Sequence, residues 1–379
     1  MTITHRERLQ ACLNGESTDR PPVALWRHYP VDDQAPETLA AATFNFQKTY
    51  DFDLVKVTPA SSFCLRDWGE EDVWEGSTEG TRRYTKRIIQ EPGDWEKLPV
   101  LDPSAPHLAA QLACLRQIRA GLGLDTPMLQ TVFSPLAQAK NLVGGAELIV
   151  HFRKYPEAVL KGLETIALTT QRFVEATLET GVDGIFYAIQ HAQAGLLTLD
   201  EYKTFGIPFD HKVLEPASEL WCNLLHLHGS DVYFEIVSEF SFQIVNWHDR
   251  DTPPSLAEAI QTSEVFAKRP EKGKTSEVSP GFTVCGGLGR DTLVYRNQDE
   301  VRHEARDAIA QTKGQRLILS TGCVVPIIAP HGNIMAARES VDSPLLAGEG
   351  PGVRGEREII SFTILIGKTF VPLLSAGMG

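Results

Sequence analysis

The chain has 379 residues, with 36 Lys and Arg against 49 Asp and Glu, so its formal net charge is −13. Hydrophobic residues make up 42% of the sequence, which is ordinary for a folded globular protein. The acidic balance argues against nucleic-acid binding, which needs clustered positive charge. The six cysteines are scattered along the chain, so a disulfide scaffold is not expected.

No targeting or membrane segment stands out. Residues 1–15 are polar and lack the apolar centre of a signal peptide. The longest apolar stretch, residues 359–374, is broken by Gly367, Lys368 and Pro372, and falls short of the ~20 apolar residues of a membrane span. We therefore expect a cytoplasmic protein with no membrane partner.

Eight short apolar runs alternate with longer segments of helical periodicity. Most runs are continuous rather than alternating, which is typical of strands buried on both faces. Helical spacing is clearest in residues 156–180 and 299–312. The predicted strands are 22–26, 53–58, 128–133, 184–189, 221–227, 243–247, 282–286 and 315–320.

This alternation indicates an α/β protein with a parallel sheet. Eight strands favour one closed (β/α)8 TIM barrel over residues 1–342, although the count alone also fits an open doubly wound sheet. Three segments depart from the repeat. Residues 73–90 resemble a hairpin excursion, and polar residues 268–280 are interpreted as a surface insertion in preference to a mobile loop over the barrel mouth. Residues 343–379, rich in Gly and Pro at their start, are predicted to be a poorly structured, non-functional extension.

The functional face of a parallel barrel lies at the carboxyl ends of its strands. His226 and His228 share parity on one predicted strand, so both imidazoles project to the same side. Cys323 follows the last strand, and barrel closure brings it to the same rim. Two imidazoles and a thiolate form a three-ligand zinc site with one open position. Hydrogen-bonded rim histidines are the alternative interpretation, and Cys222 is assigned to the core.

Other side chains at strand ends are candidates for catalysis or substrate binding. His248 is a candidate proton carrier oriented by Asp249, with a helix-entry ion pair as the alternative. Arg27 and His28 could clamp a carboxylate or form a rim salt bridge. Lys56 lies within an apolar strand and is predicted to face inward and be paired.

Four sequence segments carry a family resemblance. They are Asp-Arg-Pro-Pro-Val-Ala-Leu-Trp-Arg near the start, Leu-His-Leu-His-Gly, Cys-Gly-Gly-Leu-Gly, and Leu-Ser-Thr-Gly-Cys-Val-Val-Pro. Together they resemble the uroporphyrinogen decarboxylase family, in the family's order, from about Arg6 to Val341. The resemblance implies a single barrel with substrate in its mouth. It also implies one of two activities: tetrapyrrole decarboxylation, or zinc-dependent methyl transfer serving corrinoid proteins and thiols.

The match to the decarboxylase branch is incomplete. The second arginine of its Arg-x-x-x-Arg pair is replaced by Val31, and no carboxylate lies near Ala60, where the resemblance implies a catalytic aspartate. Asp67 is the nearest substitute. The branch's last-strand histidine is matched by Cys323. Without the aspartate, protonation of a pyrrole ring loses its main electrostatic support.

The methyltransferase branch is closer. Its zinc motif, His-x-Cys with a distant Cys, is matched by His226, His228 and Cys323, with His228 replacing a cysteine. Gln190 and His191 lie in a stretch similar to a substrate-contacting loop of the family, and Arg250 joins Arg27 in positioning a small anionic substrate. The sequence therefore predicts zinc-dependent thiol methyl transfer, with a corrinoid protein as a candidate partner. The alternatives are a tetrapyrrole decarboxylase and a non-catalytic ligand-binding barrel.

Overall fold

The fold centres on a seven-stranded parallel sheet. A computed structural model describes residues 3–266 and 281–342. The strands follow one another in chain order around the sheet, as consecutive βα units require. They are β1 (Val55–Val57), β4 (Met128–Phe133), β5 (Gly184–Ile189), β6 (Leu224–Leu227), β7 (Ile244–Trp247), β8 (Thr283–Leu288) and β9 (Leu317–Thr321); an antiparallel hairpin of β2 (Glu71–Val73) and β3 (Arg83–Lys86) follows β1.

An eighth segment closes the sheet into a barrel. Val23 forms a parallel bridge with Leu319 of β9, and the Ala24 N–H donates to the Leu319 carbonyl at 3.0 Å. On the other side, the Asp53 N–H donates to the Val23 carbonyl at 2.8 Å. The predicted TIM barrel is confirmed. The predicted strand at 22–26 is reduced to one bridge residue, since neither Pro21 nor Pro22 can donate to a ladder.

Buried charge fixes this closing segment. The carboxylate of Asp53 is fully buried and lies 2.8 Å from Arg8, 2.6 Å from Arg20 and 2.9 Å from His5. It also accepts the Val23 N–H at 2.8 Å. Burial acts to raise the pKa of Asp53, but the hydrogen bonds from His5 and Arg20 outweigh it and lower the pKa. One carboxylate thus joins the first helix, the closing segment and the start of β1.

Helices surround the barrel and complete the alternation. The predicted helices at 156–180 and 299–312 are confirmed as α6 (Pro156–Leu178) and α11 (Gln298–Thr312), each bounded within two residues of the prediction. The helices are α1 (His5–Asn14), α2 (Pro36–Tyr50), α3 (Pro106–Leu122), α4 (Pro135–Val143), α5 (Gly145–Lys154), α6 (Pro156–Leu178), α7 (Leu199–Phe205), α8 (Ile207–Leu214), α9 (Leu256–Phe266), α10 (Arg290–Tyr295), α11 (Gln298–Thr312) and α12 (His331–Glu339).

Strand parity divides the core into two layers. On β6, Leu225 and Leu227 belong to the large core between strands and helices, whereas Leu224 belongs to a smaller core inside the barrel. Leu9 and Leu13 of α1 join that inner core and cover its lower end. Residues of a strand that share Leu224's parity therefore project into the barrel, and near the carboxyl end they reach its mouth.

The predicted hairpin excursion is confirmed, with β2 and β3 pairing Asp72 with Tyr84. The predictions for residues 268–280 and 343–379 lie outside the described residues, and the division at 342 remains a prediction. Within residues 3–266 and 281–342, no helix is long and apolar enough to cross a membrane.

Candidate metal centre

Four side chains with metal-binding atoms meet at the carboxyl ends of the strands. His226 lies on β6, His228 just after it, His248 directly after β7, and Cys323 after β9. Their ligand atoms all lie within 4.8 Å of one another. The structure thus brings the three predicted ligands together and adds His248, which the sequence had suggested as a proton carrier. We assign His248 as a fourth candidate ligand.

Strand register and one glycine produce this convergence. His226 is in register with Asn246 of the neighbouring strand β7, so the residues two positions further on, His228 and His248, also meet. The loop that carries Cys323 packs closely against the end of β7. A Cβ added to Gly322 would lie 2.5 Å from the Trp247 carbonyl and 2.6 Å from the His248 Cα. Glycine is therefore required before the cysteine.

A buried amide fixes the protonation of His226. Asn246 is fully buried, and its Nδ2 donates to the carbonyls of Cys285 (2.7 Å) and Thr321 (3.0 Å). Both amide hydrogens are thereby used, so its Oδ1 accepts a hydrogen bond from His226 Nδ1 at 2.6 Å. The proton on Nδ1 leaves the Nε2 lone pair of His226 available for a metal, an arrangement typical of metal-binding histidines.

The electrostatics favour neutral imidazole and ionised sulfur. Burial lowers the pKa of His226 to about 4. Burial acts to raise the pKa of the Cys323 thiol, but interactions with the His226, His228 and His248 imidazoles outweigh it and lower the pKa well below its ordinary value. These are the protonation states in which both residue types bind metals.

The donor set fits zinc. Zinc binds imidazole nitrogen at about 2.0–2.1 Å and thiolate sulfur at about 2.3 Å in tetrahedral sites, which places ligand atoms roughly 3.3–3.7 Å apart. Contraction of the cluster by about 1 Å would reach that spacing. His248 Nε2 is buried and has no hydrogen-bond partner among the described residues, so a metal would satisfy an otherwise orphaned atom.

The cluster lies against a cavity of about 240 Å³ in the barrel mouth. Its walls combine aromatic, cationic and neutral polar side chains from β1, β4, β5 and the hairpin. Of the predicted substrate-binding residues, His28 and Gln190 line it. Its lining is Trp26, His28, Lys56, Thr58, Pro59, Ser61, Glu79, Thr81, Arg82, Tyr84, Thr131, Phe133, Lys140, Asn141, Phe186, Ala188, Gln190, His226, His228, Cys323 and Val324.

A half-buried histidine, His28, and a buried one, His191, adjoin the centre with unused ring atoms. Burial lowers the pKa of His28 to about 4 and that of His191 to about 3. The positive charge of Lys140, which lines the cavity, adds to the effect on His191. In each ring, Nδ1 is buried and lacks a hydrogen-bond partner among the described residues.

The structure places both predicted arginines away from the cavity. The Arg27 guanidinium carbon lies 5.4 Å from the Tyr29 ring centroid and 5.1 Å from that of Phe46 on α2. Trp26 and His28 face the cavity, so Arg27 between them faces outward.

Arg250 makes structural contacts instead. Its Nη1 lies 2.7 Å from the carboxylate of Asp307 on α11, and its Nη2 donates to the Gly287 carbonyl at 2.6 Å. The prediction that Arg27 and Arg250 hold the substrate is therefore corrected.

Asp249 also departs from its predicted role. Its carboxylate accepts the Gly287 N–H at 3.1 Å and lies against β8, with room provided by Gly286, where a Cβ would come within 2.4 Å of it. Burial raises the pKa of Asp249 to about 7. The carboxylate beside His248 is Asp251, 3.7 Å from the ring Nδ1. Asp249 thus joins β7 to β8 and does not orient His248.

Two lysines that line the cavity form no ion pair with a carboxylate among the described residues. Lys56 faces inward as predicted, but its expected acidic partner is missing among the described residues, and its Nζ lies 3.3 Å from the Thr58 hydroxyl and 4.4 Å from the Phe186 ring centroid. Lys140, on α4, was not predicted and donates to Gln190 Oε1 at 3.0 Å. Its signal in the sequence was a lone cation in Pro-Leu-Ala-Gln-Ala-Lys directly after β4.

The environment of Lys56 predicts a pH-dependent stability. Burial lowers its pKa to about 7, so between pH 7 and pH 10.5 the unfolded chain binds more protons than the folded one. Stability must then increase with pH across this window. In chelator-treated protein, we expect the free energy of unfolding to rise by about 2 kcal/mol from pH 7 to pH 9 relative to Lys56→Met, as measured by urea titration.

The exposed Lys161, paired with Glu96 at 2.9 Å, supplies the control for this experiment. A Lys161→Met variant should follow the wild type at every pH. Parallel curves for wild type and Lys56→Met would contradict the assignment of Lys56 as a desolvated amine.

A closed barrel with chemically active side chains at its carboxyl rim defines the class of TIM-barrel enzyme folds. The family model for uroporphyrinogen decarboxylase (URO-D) matches residues 4–344, and the chain belongs to that family. A methyltransferase from Methanosarcina mazei has a similar structure, with a TM-score of 0.74 and 19% identity over 89% of this chain and 98% of that one.

A second similar structure is a B12-independent methionine synthase from Shewanella sp. W3-18-1 in complex with selenomethionine. Its TM-score is 0.48 and its identity 14%, over 84% of this chain and 92% of that one. At 19% identity, the similarity to the Methanosarcina structure shows a shared fold. The search of curated protein sequences gave no significant match.

Proposed function

We propose that this chain is a zinc-dependent methyltransferase that moves a methyl group to or from a thiol. The observation that carries the proposal is the convergence of His226, His228, His248 and Cys323 within 4.8 Å beside the mouth cavity. Bound zinc would supply Lewis acidity that favours the thiolate form of a substrate thiol at neutral pH.

The residues of the chain have distinct tasks in this proposal. The four cluster residues hold the metal, and Asn246 keeps His226 in the tautomer that binds it. Trp26 and Phe186 form apolar walls that exclude water from the reacting sulfur. Three neutral imidazoles and one thiolate would leave a zinc site with a net charge of +1, which would favour an anionic substrate sulfur as a fifth ligand or in place of one imidazole.

The reaction balances without a redox partner. When the thiol is the acceptor, a sulfur–carbon bond forms as the bond between the methyl carbon and its donor breaks. The electron pair of the broken bond stays with the donor, and the thiol proton is released. The family resemblance implies a corrinoid protein as a methyl donor, and we include it in the proposal as a partner.

The decarboxylase alternative needs a carboxylate in the cavity to replace the missing catalytic aspartate. Asp67, the nearest replacement for the missing aspartate, accepts the backbone N–H groups of His107 and Leu108 at the start of α3. Among the described cavity residues, the one carboxylate is Glu79, which pairs with Arg290 at 2.7 Å. A volume of about 240 Å³ is also small for a tetrapyrrole, since sites for drug-sized ligands span about 300–1,000 Å³.

Metal content and product analysis test the proposal. We expect purified protein to contain close to one zinc per chain and to form a thioether from a thiol and methylcobalamin, with the activity lost on chelation and restored by zinc. Release of carbon dioxide from uroporphyrinogen by metal-free protein would favour the decarboxylase instead. Neither activity, with no zinc bound, would leave a ligand-binding barrel.

A further inference from the structure

The metal cluster lies almost out of reach of solvent. The exposed fraction is 3% for His226, 8% for His248 and 9% for Cys323. A molecule that approaches the cluster passes through the mouth cavity, so the elements around that cavity control its entry. One of these elements is the β2–β3 hairpin, an excursion from the barrel to which the proposed function gives no role.

The hairpin forms one wall of the mouth cavity. Its turn approaches the barrel so closely that a Cβ added to Gly80 would lie 2.3 Å from the His28 Cβ. Glycine is therefore required where the turn crosses this cavity residue. Four hairpin residues line the cavity, namely Glu79, Thr81, Arg82 and Tyr84. Movement of the hairpin would therefore change the opening of the cavity.

Two polar contacts hold the hairpin tip, residues 74–82, against the far side of the mouth. The Glu79 carboxylate lies 2.7 Å from Arg290 Nη1 on α10, the helix that follows β8. The Thr78 carbonyl accepts the Ile327 N–H at 2.7 Å. Ile327 belongs to the loop after β9, which also carries the cysteine of the cluster. The tip thus reaches across the mouth from β1 to the segments after β8 and β9.

A third contact joins the tip to the segment before α2. Arg82 lies 2.6 Å from Asp33 and 3.0 Å from Asp72, and the side chains of both carboxylates are fully buried. The Glu79–Arg290 pair is more accessible, with side chains 41% and 24% exposed. Water can replace an exposed ion pair at little cost, so this pair is the contact of the tip that separates most readily.

The hairpin has little stability of its own and a fixed base. Its strands form a two-stranded sheet apart from the barrel sheet, and most of their residues are exposed. Such a hairpin is marginally stable in water without further packing. At the base, the N–H groups of Ile88 and Ile89 donate to the Leu142 carbonyl of α4 at 3.1 and 3.0 Å. The other arm starts at Gly69, whose φ of +95° favours glycine.

We propose that the β2–β3 hairpin is a lid over the metal cluster, and that the Glu79–Arg290 ion pair is the latch that holds its tip across the barrel mouth. When the pair separates, the tip turns about the fixed base and opens the cavity to an incoming molecule. Closure then excludes water from the cluster. Glu79 and Arg290 are positioning residues in this proposal, which concerns access and holds for any group that the cluster binds.

Labelling of Cys323 in metal-free protein tests the lid. The pKa of the Cys323 thiol is lowered, whereas burial raises the pKa of the other five, so Cys323 is the reactive cysteine of the folded chain. The five are Cys12, Cys64, Cys114, Cys222 and Cys285. The probes are iodoacetamide, which is small, and fluorescein-5-maleimide, which is of drug size and exceeds the cavity. Mass spectrometry of the labelled peptides gives the rate at each cysteine.

The large probe should report the latch. Each rate is divided by that of the same probe with a short cysteine peptide, and in the wild type we expect Cys323 to be protected far more strongly from the maleimide than from iodoacetamide. Glu79→Gln and Arg290→Gln should each raise the maleimide rate about two- to fivefold. Arg82→Gln, which removes a buried ion pair of the tip, should raise it by about tenfold or more.

Two matched variants separate the latch from a general loosening of the hairpin. Arg83→Gln removes an equally short ion pair, 2.6 Å from Glu75, that lies within the hairpin and does not reach the barrel. It should leave the rate unchanged. Charge reversal, Glu79→Arg with Arg290→Glu, rebuilds the pair and should restore the wild-type rate. Thermal unfolding of each variant shows whether the barrel is intact.

Wild-type rates in folded Glu79→Gln and Arg290→Gln overturn the proposal, and so does an equal acceleration in Arg83→Gln. Equal protection of wild-type Cys323 from both probes would mean that no lid restricts access. Labelling of Cys285 that rises together with that of Cys323 would show opening of the whole barrel and also refute the latch. Because the protein is metal-free, each outcome is independent of whether it proves to be a zinc-dependent methyltransferase.

Discussion

Replacing Cys323 by alanine is expected to weaken zinc binding by more than about 100-fold, because the cluster loses its one thiolate and three neutral imidazoles remain. In cobalt-substituted protein, the sulfur-to-cobalt charge-transfer absorption should disappear. Thiol methylation should fall to background in the same variant. Metal titration against a chromophoric chelator measures the affinity directly.

Cys285→Ala supplies the matched control for this loss. Cys285 is fully buried on β8 near the same barrel interior, but lies outside the four-residue cluster. Its removal should cost about 1 kcal/mol of stability and leave zinc affinity and the charge-transfer absorption unchanged. Equal loss of metal in both variants, or retention in Cys323→Ala, would refute the assignment of Cys323 as a ligand.

Substitution of Asn246 by alanine should have the next largest effect. The change leaves the Cys285 and Thr321 carbonyls and His226 Nδ1 buried without their partner. We expect a loss of about 3 kcal/mol in the free energy of unfolding and of about 10- to 100-fold in zinc affinity. The ¹⁵N chemical shifts of the His226 ring should then report a mixture of the two tautomers instead of the Nδ1–H tautomer alone.

Asn223 offers a comparison of equal structural weight at the opposite end of the same sheet. It is buried, accepts the Ile185 N–H at 3.0 Å and donates to the Ala217 carbonyl at 2.7 Å. Asn223→Ala should lose similar stability without changing metal affinity or the His226 tautomer. Parallel effects of the two variants on metal binding would show that Asn246 acts through stability alone.

Parity along the strands explains what the sequence could predict. Continuous apolar runs located the barrel, and the run containing His226 and His228 placed both imidazoles on its inner face. Cys323 followed because all strand ends of a parallel barrel share one rim. The least accurate strand prediction was the first. Its consecutive prolines have no N–H to donate to the ladder, and a single bridge forms there, at Val23.

The same parity, applied one residue further, would have corrected the roles predicted for Arg27 and Asp249. Trp26 and His28 face the cavity, so Arg27 must face α2. Because His248 faces the cluster, Asp249 must face β8. Asn246 shares the parity of His248 and is the polar residue of an apolar strand, which was a usable signal. The contact of Lys140 with Gln190 depends on how α4 packs over the sheet, and strand periodicity carries no information on that.

The charge network at Asp53 makes the start of the chain part of the barrel wall. Trimming α1 would strip Arg8 and His5 from a carboxylate that has no access to water, and would leave Arg20 and the Val23 N–H as its partners at the joint between β9 and β1. Acid acts at the same joint, since a carboxylate with a lowered pKa gives up its stabilisation as the pH falls. The carboxyl-end rim where the metal cluster lies thus depends on the ion-pair network of Asp53, which lies at the opposite end of the barrel.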